Sequence, residues 1–248
     1  MGRPEKPVDR TVPERAKLAD FLRTRKAQAG RTYEQISEMA RGLPSKATFE
    51  RAASGTCVAS WETVQRFILI TATEGERYTG NIASAVMRGR ELWIRARRAT
   101  RAPFYVHKAP DPNLILTKAD LLQALRRQHV WAGYPTPGEM ERMSGTGALP
   151  SSTTRRVLKA EMLPVDPQQT IAFLEACDVL RLVDLEPWLA AAARAHTRLG
   201  TDNKWARAHR ELLTRIQRSQ QREEAAAVPT RLRTEPFDDG GREEDMAA

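Results

Sequence analysis

Ser45, Lys46, Ala47, Glu50 and Arg51 fall within seven residues, and their types suit a surface that meets an anion. If the chain turns helical after Ser45, the four that follow share one side, because residues three and four apart are neighbours on a helix. Lysine and arginine donate to phosphate and to the acceptor edge of guanine, and a carboxylate accepts from the amino group of cytosine. Glu50 equally suits a local pair with Lys46 or Arg51. Ser45 would lie among the open backbone N–H groups of a helix start, which attract anions, and Tyr33 offers a hydroxyl upstream. A second set, Ser151, Ser152, Thr153, Arg155, Arg156 and Lys159, is more basic and holds no acid.

Each set needs an element to brace it, and the sequence supplies one twice. Thr32 and Gln35 form a capping box that starts a short helix with Ile36, Met39 and Ala40 on its inner face. Gly42 ends it, and Ser45 caps a second short helix, Lys46–Ala53, with Phe49 and Ala52 inward. Thr136, Pro137 and Glu139 form the corresponding box for a helix with Met140 and Met143 inward. Gly145 and Gly147 open its turn, and Ser151 or Ser152 caps the next helix. Leu43 and Leu149, Pro44 and Pro150, Ser45 and Ser151, Thr48 and Thr154, and Phe67 and Phe173 all stand 106 apart. Leu18 and Leu121, Leu22 and Leu125, and Arg23 and Arg126 stand 103 apart, so an internal duplication with loop insertions is expected.

In the second set Arg155 falls where Phe49 packs in the first. The helix is therefore expected to turn so that Val157 and Leu158 pack and Thr153, Arg155, Arg156 and Lys159 face outward.

The remaining periodicity predicts an all-α chain of two tandem five-helix units. Residues 1–12 read as a flexible arm, with Gly2-Arg3-Pro4 as a shortened minor-groove hook. The first unit spans 13–101, with helices from Glu14, from Ser60 and over about 80–99, and Trp93 inside the last. Residues 102–116, with three prolines, read as a semi-rigid linker. The second unit spans 117–200, with starts at Thr117 and Asp166 and Trp188 near the place of Trp93. A helix over 201–222, capped by Asp202, carries Trp205, Ala208, Leu212 and Ile216 on one face. Arginines 207, 210, 215, 218 and 222 occupy the others. Residues 223–248 read as a disordered acidic tail.

Helix, glycine turn and second short helix in that order are the signature of a helix-turn-helix. The segment SKATFERAASG resembles the recognition-helix segment of the Cro/lambda-repressor-like (Xre-type) family. With its GRPEKP start and a tryptophan in the fifth helix, the whole unit is similar to actinomycete members, here in tandem duplication. The resemblance covers 14–99 closely and 117–198 more loosely. It implies sequence-specific binding of double-stranded DNA, usually in transcriptional control and by a symmetric pair of domains.

Charge agrees with a polyanion partner. The chain carries a net +9, although its last 26 residues hold eight acids against three arginines. His107, His129, His196 and His209 fall in no metal or catalytic spacing, and Cys57 and Cys177 read as buried thiols. There is no phosphate-loop or dinucleotide motif, so no enzyme, cofactor or metal is expected. No apolar run spans a membrane, and a cytoplasmic, nucleoid-associated protein is expected. The reading is a regulator that binds two unlike major-groove half-sites. The alternative is an architectural or assembly protein of plasmid, phage or chromosome maintenance, one unit on DNA and the other on a protein partner. A pure adaptor that binds no duplex is the third. A homodimer through 202–222 is compatible with the first.

Overall fold

A computed structural model describes residues 5–145, 147–196 and 203–227, with side chains to 223. Residues 1–4, Thr146, the Asp202 cap and the tail from 228 onward lie outside it. The described chain is all-α. The first half holds α1 (Pro13–Gln28), α2 (Tyr33–Met39), α3 (Lys46–Ala52), α4 (Trp61–Ile70), α5 (Glu74–Thr79) and α6 (Ile82–Arg101). After a single 3-10 turn at Pro112–Leu114 come α7 (Lys118–Trp131), α8 (Pro137–Ser144), α9 (Ser151–Leu158), α10 (Pro167–Ala176), α11 (Leu182–Ala195) and α12 (Lys204–Ala227).

Local chemistry sets most of these boundaries. Thr32 with Gln35 and Thr136 with Glu139 close reciprocal capping boxes at α2 and α8. Ser60, Thr117 and Asp166 each accept the backbone N–H three residues on and start α4, α7 and α10. The fifth helix expected over 80–99 is α6, Ile82–Arg101, and a short helix that was not expected precedes it. A capping box of Thr73 and Glu76 starts α5, and Gly80, at φ +71°, ends it before α6 begins. Neither Ser45 nor Ser151 caps as expected. Ser45 occupies the cap position of α3, but its hydroxyl meets Thr48 Oγ1 at 3.0 Å. The cap position of α9 is Pro150, with Ser151 already helical and Ser152 after it.

Two hydrophobic cores form, one in each half. Leu18, Leu22, Ile36, Phe49, Phe67, Ile68 and Trp93 build the first. Leu121, Leu125, Met140, Leu149, Val157, Phe173 and Trp188 build the second. Met39 and Met143, expected inward, are 50 % and 49 % exposed at the ends of α2 and α8, where both short helices give way to the turn.

The halves repeat, in a register the identities do not follow throughout. Leu43 is 74 % exposed and Leu149 is fully buried, so the Leu-Pro-Ser match is not a structural one. Phe49, Ala52 and Ala53 are buried in α3 and its end; Thr154, Val157 and partly buried Leu158 take those places, 105 residues on. Two hydrogen bonds recur between corresponding elements, their donors 103 residues apart. Arg23 Nε donates to Ala53 O at 2.8 Å, and Arg126 Nε to Leu158 O at 2.9 Å. Arg25 donates to Thr71 O at the end of α4 at 3.4 Å, and Gln128 to Cys177 O at the end of α10 at 3.0 Å. Cys177 is buried, as expected, and Cys57 is exposed.

The halves are clasped directly, not merely spaced by a linker. Arg97 of α6 is 3 % exposed and reaches into the second half. It pairs with both oxygens of Glu139, at 2.8 and 2.7 Å, and donates to Gly133 O at 3.1 Å and Tyr134 O at 3.3 Å. Arg98 lies 3.9 Å over the Trp131 ring, and Arg90 pairs with Asp178 at 3.0 Å. Gly133 has φ +89°, and a Cβ there would stand 3.2 Å from Ile94 O, so glycine permits both the turn and the approach. Within 102–116, Val106 and Ile115 are buried, and Ile115 belongs to the second core.

Residues 5–12 of the expected arm are held in place. Glu5 pairs with Arg23 at 3.1 Å and Lys26 at 3.0 Å, Arg10 with Asp20 at 3.0 Å, and Asp9 N donates to Ser54 O at 2.8 Å. At Gly55 a Cβ would lie 2.6 Å from Asp9 O, so the arm's seat needs glycine. At the other end, α12 lays Trp205, Leu212 and Ile216 into the second core, against α11. A homodimer on that face would have to displace α11. Residues 223–227, assigned to the disordered tail, continue α12.

Candidate nucleic-acid interface

In both halves a brace helix packs on α4 or α10 and on an outer helix, which the first helix (α1 or α7) ties in place. The brace, α2 or α8, plugs the core with one fully buried residue, Ile36 or Met140. The outer helix, α3 or α9, is tied at its C-terminal end by Arg23 or Arg126. Such a bond satisfies a carbonyl that no helical partner reaches and sets the tilt of the helix. Both arginines were legible as an identity between the halves, but nothing in the sequence spacing disclosed what they hold.

On α3, Lys46, Ala47, Glu50 and Arg51 are all exposed, as their helical spacing requires. Lys46 pairs with Glu34 of α2 at 2.7 Å, with both side chains more than half exposed. That hydrogen bond raises the lysine's pKa, so it stays cationic. An exposed pair of this kind is weak. Among the described residues the side chains of Glu50 and Arg51 make no hydrogen bond or ion pair; Lys46 pairs with Glu34 instead, and Glu50 acts on it only as a more distant charge.

Tyr33 is not at this surface. It is 8 % exposed, its hydroxyl donates to the Glu5 carboxylate, and Lys26 lies 4.4 Å over its ring. Burial and the Glu5 contact push its phenol pKa up. The apolar character of a tyrosine at the first position of a core-facing helix was the signal that pointed inward.

On α9, Ser152, Arg155, Arg156 and Lys159 are exposed, and Ser151 and Thr153 are half-buried. Thr154, not Arg155, occupies the seat of Phe49, so the arginine is free to face outward. The face is not without an acid. Glu161, just past the helix, stands 3.6 Å from Arg156 and 3.9 Å from Lys159. Among the described residues Arg155 has no such partner. Beside this unit, the Arg97 guanidinium holds Glu139 down to about 2 against the opposing effect of burial. Burial takes His129 down to about 4, with Arg97 adding to the effect.

Among the described residues no group of His, Cys, Asp or Glu is placed to hold a metal ion, and no helix is long and apolar enough to cross a membrane. Comparison with protein families, curated proteins and solved structures returns no match.

Proposed function

We propose that the chain is a sequence-specific double-stranded DNA-binding protein, a nucleoid-associated transcriptional regulator of the Xre type, reading two major-groove half-sites with α3 and α9. One observation carries this reading: a capped brace helix, a turn and an arginine-tied outer helix recur in both halves, each outer helix leaving cationic and hydroxyl side chains exposed. A helix of this width fits the major groove, where arginine pairs with guanine. Lys46, Ala47, Glu50 and Arg51 would read one half-site, with Ser45 on phosphate. Ser151, Ser152, Thr153, Arg155, Arg156 and Lys159 would meet the other. Their unlike residues call for unlike half-sites. The buried Arg97 clasp supports one spacing between them, since neither half can swing without opening it.

The acid beside Arg156 and Lys159 favours a second reading, in which α9 holds a protein partner and only α3 reads DNA, as in an assembly protein. Selection of bound duplexes from a random pool by the intact chain separates the two. Two motifs at one spacing support the regulator and one motif the assembly protein. Recovery of no motif removes both.

A further inference from the structure

The outward face of α12 points to a second kind of contact. Its apolar stripe, Trp205, Leu212 and Ile216, is spent on the second core. Arg210, Arg215, Arg218 and Arg222 are all exposed, and at 100° per residue they fall within about 140° on the opposite side, an arc that also holds one exposed acid, Glu211. None of the four has an ion-pair partner among the described residues, whereas Arg10, Arg25, Arg90, Arg97 and Arg181 do. Arg215 with Arg218, and Arg218 with Arg222, stand three and four apart, where like charges repel and weaken a helix. A polyanion laid along the face would turn that repulsion into attraction.

We infer that this arginine face of α12 is a rail for the sugar-phosphate backbone of duplex DNA, contacting phosphates without reading sequence. Between Arg210 and Arg222 the rail rises about 18 Å, several times the roughly 3.4 Å axial step between phosphates of one strand. Lys204, in the first turn of α12, donates to Val165 O at 2.5 Å, so the helix that carries the rail begins beside the segment that leaves α9. A lipid surface is a poorer partner, because an interfacial helix needs its apolar face for the bilayer and here that face is buried. The inference rests on the DNA reading above and adds to it a contact that the recognition helices do not make.

The test is salt-dependent binding of the intact chain and of the triple variant R215Q/R218Q/R222Q to two duplexes, one selected from a random pool and one of scrambled sequence. Glutamine keeps the helix propensity and removes the charge. The expected result is a log–log salt slope lower by about 2 to 3 in the variant, equally on both duplexes. The preferred sequence should not change, and Arg218→Lys should keep its share of the slope. An unchanged slope in the triple variant overturns the rail and leaves the reading of α3 and α9 standing. Failure of the intact chain to bind any duplex overturns both. Binding of the intact chain to phosphatidylserine vesicles, lost in the variant while duplex binding is kept, overturns the rail in favour of a membrane surface.

Discussion

The outer helix of the first half rests on Phe49, whose fully buried ring meets Phe67 edge-on at 5.5 Å. Its counterpart in the second half rests on Thr154, equally buried, whose hydroxyl turns back to Pro150 O at 3.3 Å. Met140, Leu149 and Val157 are fully buried in the same core. A ring has been exchanged for a small hydroxyl with neighbouring volume, and yet Arg23 and Arg126 make the same bond to the last carbonyl. The pose of the outer helix therefore depends on that polar tie and on total core volume, which can be repacked. The outer face depends on neither, and there the halves diverge freely: α3 mixes charges, while α9 is basic with an acid behind it.

The comparison can be broken at several points. Phe49→Ala should cost about 4 kcal/mol in urea or thermal unfolding, because a large ring leaves a cavity. Thr154→Val should cost less than about 1 kcal/mol, since the lost hydroxyl bonds only within its own helix. Equal losses would show that the two seats do the same job. Glu139→Ala leaves the buried Arg97 without its carboxylate and should cost about 3 kcal/mol, whereas Gln35→Ala, at the matching position of α2, removes only a cap and should cost about 1. Arg51→Ala and Arg155→Ala should each weaken duplex binding by about 1–3 kcal/mol on different half-sites. If both variants lose the same half-site, only one outer helix reads DNA.

The smallest expected effect is on pH. His129, with its folded pKa near 4, binds a proton more readily when unfolded, so stability falls as pH drops from about 6.5 towards 4. The loss between pH 7.5 and 6 should stay under about 1 kcal/mol, and His129→Gln should remove it. Glu76 and Glu139, both held near 2, act in a lower window. Their contribution is complete above the ordinary carboxylate range and fades as pH falls from about 4.5 to 2. Stability that rises on mild acidification would contradict both assignments.

Much of this architecture was legible in the chain, because caps and stops are local. Thr32, Thr117, Thr136 and Asp166 announce their helices by an acid or amide three positions on, and Ser60 by its own hydroxyl before an apolar stripe. The all-α class and the core stripes Leu18–Leu22 and Leu121–Leu125 follow from periodicity. The Thr73–Glu76 box was equally explicit, but the stronger pattern from Ile82 masked it. The tripeptide match misled by one position, since identity aligns residues while packing aligns buried faces. The connection from brace to outer helix is six residues long in both halves and α8 is one residue longer than α2, which puts Pro150 at the cap place that Ser45 holds. The Arg97 clasp was not legible at all. It joins residues 42 apart in sequence that only the fold brings together, and Arg97 stood in a basic run that looked like surface. The same holds for Glu5, whose partners Arg23, Lys26 and Tyr33 lie on two helices.

Glu139 has two duties. Its carboxylate accepts the Thr136 backbone N–H at 2.7 Å to complete the first turn of α8, and it also receives Arg97. The start of the second half's brace helix is therefore finished by a side chain of the first half. Through that one carboxylate the end of α6 and the start of α8 each consolidate the other. Duplicated units usually gain independence from their copies. Here the shared carboxylate couples the stability of the two cores, and calorimetry of the intact chain is expected to show one unfolding transition in place of two.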